Sequence, residues 1–226
     1  SSDLKEYLEG FHGFLHTDAY AGYEKVQDVT RCLCWAHARR YFVDAIAPGV
    51  DDLSGSLAKE GIGQINKLFA IEQELAELLP EKRQEARLQR EKPLLQAFWS
   101  WIETQKGNVL PKSKLFQAMN YAAANRKGLE AYLQDGRCNI SNNLAEGSIR
   151  PFTIGRKNWL FSGSPKGATA SAAIYSLMET CKANEIDPYK YLIYLLEHLP
   201  NEPFQRQPEI LQKYLPWSLE VINRCK

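Results

Sequence analysis

Only two short stretches of this chain read as β-strand, and that scarcity limits the fold more than any other feature. Residues 11–17 form an apolar run of β-friendly side chains that closes at Asp18 and the turn-prone Ala19-Tyr20-Ala21-Gly22, and residues 26–34 form a second run. Beyond them, apolar residues recur at helical spacing. Trp35, Ala38, Phe42 and Ile46 predict a helix over 35–46, ended by Pro48-Gly49. Ile65, Leu68, Phe69, Ile71, Leu75 and Leu78 keep an i, i+3, i+4 pattern through a charged block over 56–105, punctuated by Pro80 and Pro93. It reads as a self-contained helical hairpin, a solvated scaffold. Helical periodicity returns over 113–132, with Gly136 as a C-cap. A loop then leads to Ser141 or Asn142 as N-cap of a helix that carries Glu146 and is broken or kinked at Pro151. An Ala-rich helix over 168–183 and another beginning at Pro188 follow, and Pro200, Pro203, Pro208 and Pro216 mark an extended tail. Residues 1–10 read as the end of a helix. The expected class is α/β tending to mostly α, with few short strands and an α-helical insertion.

The formal net charge is +1, so a surface for a polyanion has to come from local segregation rather than overall basicity. Residues 31–42 hold Arg31, Arg39 and Arg40 with no acid, and residues 147–170 hold Arg150, Arg156, Lys157 and Lys166 with no acid. The five cysteines are odd in number and irregularly spaced, a pattern that favours a reducing cytosol over a disulfide framework. No apolar run reaches the roughly 20 residues needed to span a bilayer.

Between Asp135 and Glu179 the one acid is Glu146, set among Arg150, Arg156, Lys157, Asn142 and Asn143. A lone carboxylate in a basic, Asn-rich segment suits a metal ion held beside a phosphate backbone. Phosphodiester chemistry with two divalent ions needs flanking carboxylates, one of which commonly ends a strand while another projects from a helix. Asp18 matches the first role and Glu146 the second, although a turn aspartate and a helix-N-terminal acid paired with Arg150 are the plain alternatives. The basic loop predicted over 155–167, with Arg156, Lys157, Asn158, Trp159, Phe161 and Lys166, combines cations, glycines and aromatics suited to phosphate contacts and base stacking. Cys34-Trp-Ala-His37 together with Cys32 offers three zinc-type ligands, but no well-spaced second pair follows. A packed Cys/His pair bracing the strand is the preferred reading.

These segments together resemble the insertion sequence 66 family of bacterial transposases. The likeness rests on Thr17-Asp18-Ala-Tyr20-Ala-Gly22-Tyr23, on Cys34-Trp-Ala-His37-Ala-Arg39-Arg40-Tyr-Phe42, and on Asn142-Asn143-Leu-Ala-Glu146 with Ile149-Arg150-Pro151. Gly155-Arg-Lys-Asn-Trp-Leu-Phe161 and Ile186-Asp187-Pro188-Tyr189-Lys-Tyr191-Leu192 extend it to about residue 200. The resemblance implies a partial ribonuclease-H-like DDE core acting on double-stranded DNA, at transposon ends and target, through two Mg²⁺ (or Mn²⁺) ions. Asp18 corresponds to the second catalytic Asp and Glu146 to the catalytic Glu, both as metal ligands. Cys34 and His37 correspond to a structural signature. Arg39, Arg40, Asn142, Asn143, Arg150, Arg156, Lys157, Asn158, Trp159 and Lys166 are the expected DNA contacts. Four regions follow: a core over 1–47 with Asp18, an insertion over 48–112, core helices with Glu146 over 113–183, and a C-terminal region over 184–226. The family's first catalytic Asp has no counterpart here, so a transposase fragment with little activity alone is expected. The alternative is a non-catalytic DNA-binding remnant that modulates a full-length transposase, with another copy or that transposase as partner. The expected location is the bacterial cytoplasm, at the nucleoid, with no membrane partner.

Overall fold

A computed structural model describes residues 7–49, 55–160 and 162–226, apart from the side chains of Arg156 and Trp159. Most of the helix expected over 1–10, and Phe161, lie outside the described residues. The chain divides into two compact units, Ser1–Leu144 and Ala145–Lys226. The described residues are mostly helical, with a single two-stranded sheet.

In the first unit β1 (Gly13–Thr17) pairs with β2 (Val29–Leu33) in parallel, His16 opposite Cys32 and Thr17 opposite Leu33. Parallel neighbours need a crossover of about a dozen residues. The 3₁₀ turn Ala21–Lys25 lies within that crossover. Both strands start later than the apolar runs suggest, because Gly13 and Asp28 adopt positive φ (110° and 59°) and turn the chain into each strand. Five helices follow: α1 (Trp35–Asp44), α2 (Leu57–Glu74), α3 (Pro80–Gln105), α4 (Lys114–Ala124) and α5 (Arg126–Glu130). Ser56 and Ser113 cap α2 and α4 by accepting hydrogen bonds from Lys59 N (3.4 Å) and Phe116 N (3.1 Å).

Trp35 sits at the centre of the core, fully buried, with the rings of Phe98 and Trp99 5.5 and 5.8 Å away. Its indole N–H donates to the Leu129 carbonyl at 2.8 Å. Ile65 and Leu68 of α2 and Leu95, Phe98 and Ile102 of α3 join β2, α1 and Met119 of α4 in the same core. The helical block is therefore not self-contained, since its apolar stripe is what covers α1. Nor does Pro93 interrupt α3. Both Pro93 and Gln89, whose carbonyl loses its donor, are exposed, so water can satisfy that carbonyl.

Arg87 of α3 is completely buried, and each of its five N–H groups has a partner. Nε and Nη2 grip the Glu72 carboxylate at 2.7 and 2.6 Å. The remaining donors reach the carbonyls of Tyr132 (3.0 Å), Asp135 (3.1 Å) and Cys138 (2.8 Å). Gly136, expected as a C-cap, has another role. It does not take positive φ, and a Cβ there would stand 1.7 Å from the Pro80 carbonyl oxygen, so close backbone approach is what requires glycine.

In the second unit Ala145 continues α6 (Asn143–Trp159), which Pro151 does not break. Gly147, four residues earlier, is exposed, so the same solvent rescue applies as at Pro93. α7 (Pro165–Ala183) begins three residues before its predicted start, because Ser164 accepts from Gly167 N (3.1 Å) and Pro165 suits the first helical position. α8 (Pro188–His198) is capped by Asp187, which accepts from Tyr189 N at 2.8 Å. The expected extended tail is folded instead. The 3₁₀ helix Pro208–Tyr214 and α9 (Leu219–Cys225) bury Tyr214, Val221 and Cys225 against Cys181, Ile186, Tyr191 and Tyr194. The Tyr191 hydroxyl ties this core by donating to the Tyr214 carbonyl at 2.8 Å.

Candidate active site

β1 ends at Thr17 and Asp18 follows, at the carboxyl end of a parallel strand, where open α/β sheets bind their ligands. Asp18 is half-buried, and its Oδ1 accepts a hydrogen bond from Tyr20 N at 3.0 Å, which folds the turn back on itself. Arg31, on β2, fastens that turn. Its Nη2 donates to the Asp18 carbonyl (2.9 Å) and to Thr17 Oγ1 (3.3 Å), and the guanidinium lies 5.8 Å from the Tyr23 ring centroid. In the sequence Arg31 stands out only as one charge of a basic cluster. An arginine within the β-friendly stretch Val29-Thr30-Arg31-Cys32-Leu33 is the available signal.

Cys34 is buried and its Sγ accepts a hydrogen bond from Asn142 N at 3.5 Å, while Trp35 N donates to the Ile140 carbonyl at 3.1 Å. The start of α1 is thus bonded to the segment that leads into α6, and an otherwise orphan helix-terminal N–H is satisfied there. His37 lies half-buried on the first turn of α1. Asn142 does not cap α6 through its side-chain carbonyl, since that oxygen is buried without a hydrogen-bond partner. Asn143, the first residue of α6, is exposed. Arg39 donates from Nε to Asn66 Oδ1 (2.7 Å) on α2, and Arg40 is exposed.

Glu146 stands exposed in the first turn of α6. The residues expected as a basic loop, Gly155, Arg156, Lys157 and Asn158, continue this helix instead. With Pro151 not breaking it, Glu146, Arg150 and Lys157 fall four and eleven positions apart, which puts the acid and two cations along one face. Trp159 is the last residue of the helix. Ser148, Ile149 and Phe152 instead line a cleft of about 430 Å³ with Tyr175, Glu179 and Thr180 of α7. The rings of Phe152 and Tyr175 meet edge to face at 5.3 Å. Lys166 is exposed in the first turn of α7, where the positive end of the helix dipole adds to its charge.

A second constellation lies on the strands themselves. Cys32 does not group with Cys34 and His37, because its Sγ is 3.9 Å from Cys138 Sγ, and a ligand atom of His16 lies within 4.8 Å of both. Burial holds both thiols above their ordinary range and, with the Arg87 charge, lowers the His16 pKa, so the imidazole is neutral.

Residues 2–170 match the model described as Transposase IS66 family, and residues 176–217 match the IS66 C-terminal element. The chain belongs to the IS66 transposase family. Three curated relatives from Sinorhizobium fredii are similar along nearly all of it. Uncharacterized protein y4hP is 30% identical over 95% of this chain and 41% of its own length. Uncharacterized protein y4qI is 32% identical over 96% of this chain and 41% of its own length, and y4jD is 29% identical over 96% and 43%. The chain therefore spans about two fifths of the curated relatives it matches. No solved structure matches it. Among the described residues no helix is long and apolar enough to cross a membrane.

Proposed function

We propose that this chain is the part of a DDE-type transposase that supplies two carboxylates, Asp18 and Glu146, to metal-dependent DNA strand cleavage and transfer at transposon ends. The observation that carries the reading is Asp18, a half-buried carboxylate at the carboxyl end of a parallel strand, in a turn tied down by an arginine of the next strand. In this reading β1, β2 and α1 are part of a ribonuclease-H-like core over 1–47, and residues 48–112 are its helical insertion. Residues 113–183 are the core helices with Glu146, and 184–226 a C-terminal region.

Carboxylate oxygens are the hard donors that Mg²⁺ or Mn²⁺ takes, so Asp18 and Glu146 suit such ions chemically. When bound, such ions stabilise the entering and leaving oxygens of an in-line displacement at phosphorus. The chain's own residues orient and bind. Arg31 fixes the backbone on which Asp18 stands. Arg150 and Lys157 accompany Glu146 along α6 as phosphate contacts, with Arg39, Arg40, Arg156 and Lys166 adding charge. Asn142, Asn143 and Asn158 supply polar contacts and Trp159 a stacking surface. Cys34 and His37 brace the start of α1. The substrate is double-stranded DNA, at transposon ends and target, in the bacterial cytoplasm, and the partner is another copy or a full-length transposase.

Nicking and strand transfer on labelled duplex DNA with Mg²⁺ or Mn²⁺ tests the reading. Little product is expected from this chain alone; metal-dependent product that disappears in both Asp18→Asn and Glu146→Gln supports the two carboxylates as its metal ligands and overturns that expectation. DNA binding with no metal-dependent product in the wild-type chain refutes catalysis by this chain and leaves a binding module.

A further inference from the structure

We propose that His16, Cys32 and Cys138 form a zinc site that staples the strand pair to the segment leading into α6. This site is separate from the carboxylate chemistry proposed above and does not depend on it. His16 and Cys32 are direct neighbours across the parallel pair, and Cys138 reaches them from more than a hundred residues along the chain. Tetrahedral zinc with thiolates at about 2.3 Å and imidazole at about 2.0 Å sets its sulfurs about 3.8 Å apart and sulfur and nitrogen about 3.6 Å apart. The two sulfurs already stand at 3.9 Å, and all three ligand atoms lie within 4.8 Å of one another, so the imidazole has at most about 1.2 Å to close. A disulfide would instead draw the same sulfurs together to about 2.0 Å.

The donor set decides the metal. Two thiolates and an imidazole are soft to borderline ligands that select zinc over Mg²⁺. The thiolates neutralise the dication, so a site whose cysteines are 1% and 3% exposed carries no net charge. Two thiol protons leave to solvent as the metal enters. His16 is only half-buried, and from its side a water can take the fourth position. Because Cys138 lies four residues before the buried Asn142 oxygen and two before Ile140, zinc here would hold the 138–142 segment against the strand whose end carries Asp18.

The chain, purified without chelator, is assayed for metal by mass spectrometry and then titrated with Co²⁺ after zinc removal. The expected results are one zinc per chain and a thiolate-to-cobalt charge-transfer band with tetrahedral ligand-field bands. Both are lost in Cys32→Ser and in Cys138→Ser, and both persist in Cys34→Ser and Cys181→Ser. Circular dichroism of each variant separates loss of a ligand from loss of the fold, and the wild-type cobalt spectrum stands without any variant. A folded wild-type chain that takes up neither zinc nor cobalt, or zinc that survives both serine substitutions, overturns the proposal. The zinc proposal is read from metal content and the cobalt spectrum, and the carboxylate reading from nicking by Asp18→Asn and Glu146→Gln, so the two readings fail separately.

Discussion

Replacing Arg87 with methionine tests how the first unit is held together. The guanidinium is fully buried and uses all five N–H groups, two on the Glu72 carboxylate and three on the carbonyls of Tyr132, Asp135 and Cys138. Methionine keeps most of the apolar stem but removes every donor. The buried carbonyls of Tyr132 and Cys138 then lose a donor, the Asp135 carbonyl keeps only its bond from Cys138 N, and the Glu72 carboxylate, only 13% exposed in its side chain, loses its counter-charge. Breaking a buried pair by deleting one member costs about 3–5 kcal/mol, because the survivor stays desolvated and unpaired. A drop of about 4 kcal/mol in urea unfolding of Arg87→Met is therefore expected.

The double substitution separates charge from packing. Removing Glu72 as well, as Glu72→Leu, takes away the stranded charge, so the double variant recovers at least about 2 kcal/mol relative to the sum of the single changes. Hydrogen exchange assigns the transition, with amides of 129–142 losing protection first in Arg87→Met. An Arg87→Met chain within about 1 kcal/mol of wild type, or effects that simply add with those of Glu72→Leu, would show that the fork is not what orders this segment.

Three further outcomes are expected. Burial pushes the Glu91 carboxyl up to about 8 from 4.5, so between those values the folded chain holds a proton that the unfolded chain has released. Stability must then fall as pH rises through that window, by up to about 1.4 kcal/mol per unit, and Glu91→Gln should flatten the slope in urea melts at pH 6 to 8. Gly136→Ala should destabilise by about 3 kcal/mol in thermal melts, since its Cβ would collide with the Pro80 carbonyl and backbone rather than a side chain has to move; a neutral substitution would refute the close approach. Arg150→Ala and Lys157→Ala should each reduce the slope of log affinity for DNA against log salt by about 0.9, read by fluorescence anisotropy, whereas Lys82→Ala on α3 should leave it unchanged.

Helix α1 is legible because Trp35, Ala38 and Phe42 mark one buried stripe, β1 because its apolar run ends at turn residues, and β2 because β-friendly residues precede that stripe. The prolines were misread where solvent decides. Pro80, Pro165 and Pro188 begin helices, but Pro93 and Pro151 sit inside them, and whether a freed carbonyl meets water depends on tertiary exposure that spacing alone does not encode. Gly136 has the same ambiguity, because a cap and a close approach both require glycine. In the candidate site, the place of Asp18 at a strand end could be read from its run. The grip of Arg31 could not, since much of it falls on backbone carbonyls, which every residue has. Cys138 could not be joined to Cys32, because the link spans more than a hundred residues and depends on the register of the parallel pair.

One physical need explains why arginines recur at these places. A two-stranded sheet leaves few ladder partners, so irregular segments that run through the first unit must find other donors for their buried carbonyls. Between 129 and 142 the carbonyls of Leu129, Tyr132, Asp135, Gly136, Cys138 and Ile140 accept from Trp35, Arg83 and Arg87 rather than from a strand. The turn after β1 follows the same rule, with Arg31 on the carbonyl of Asp18. A guanidinium serves both because it presents several donors in one plane at fixed angles and stays charged when buried, which an ammonium does not. Lysine at 31 or 87 would lose the fork. The order of both segments, the one that carries Asp18 and the one that leads into α6, rests on that geometry more than on charge.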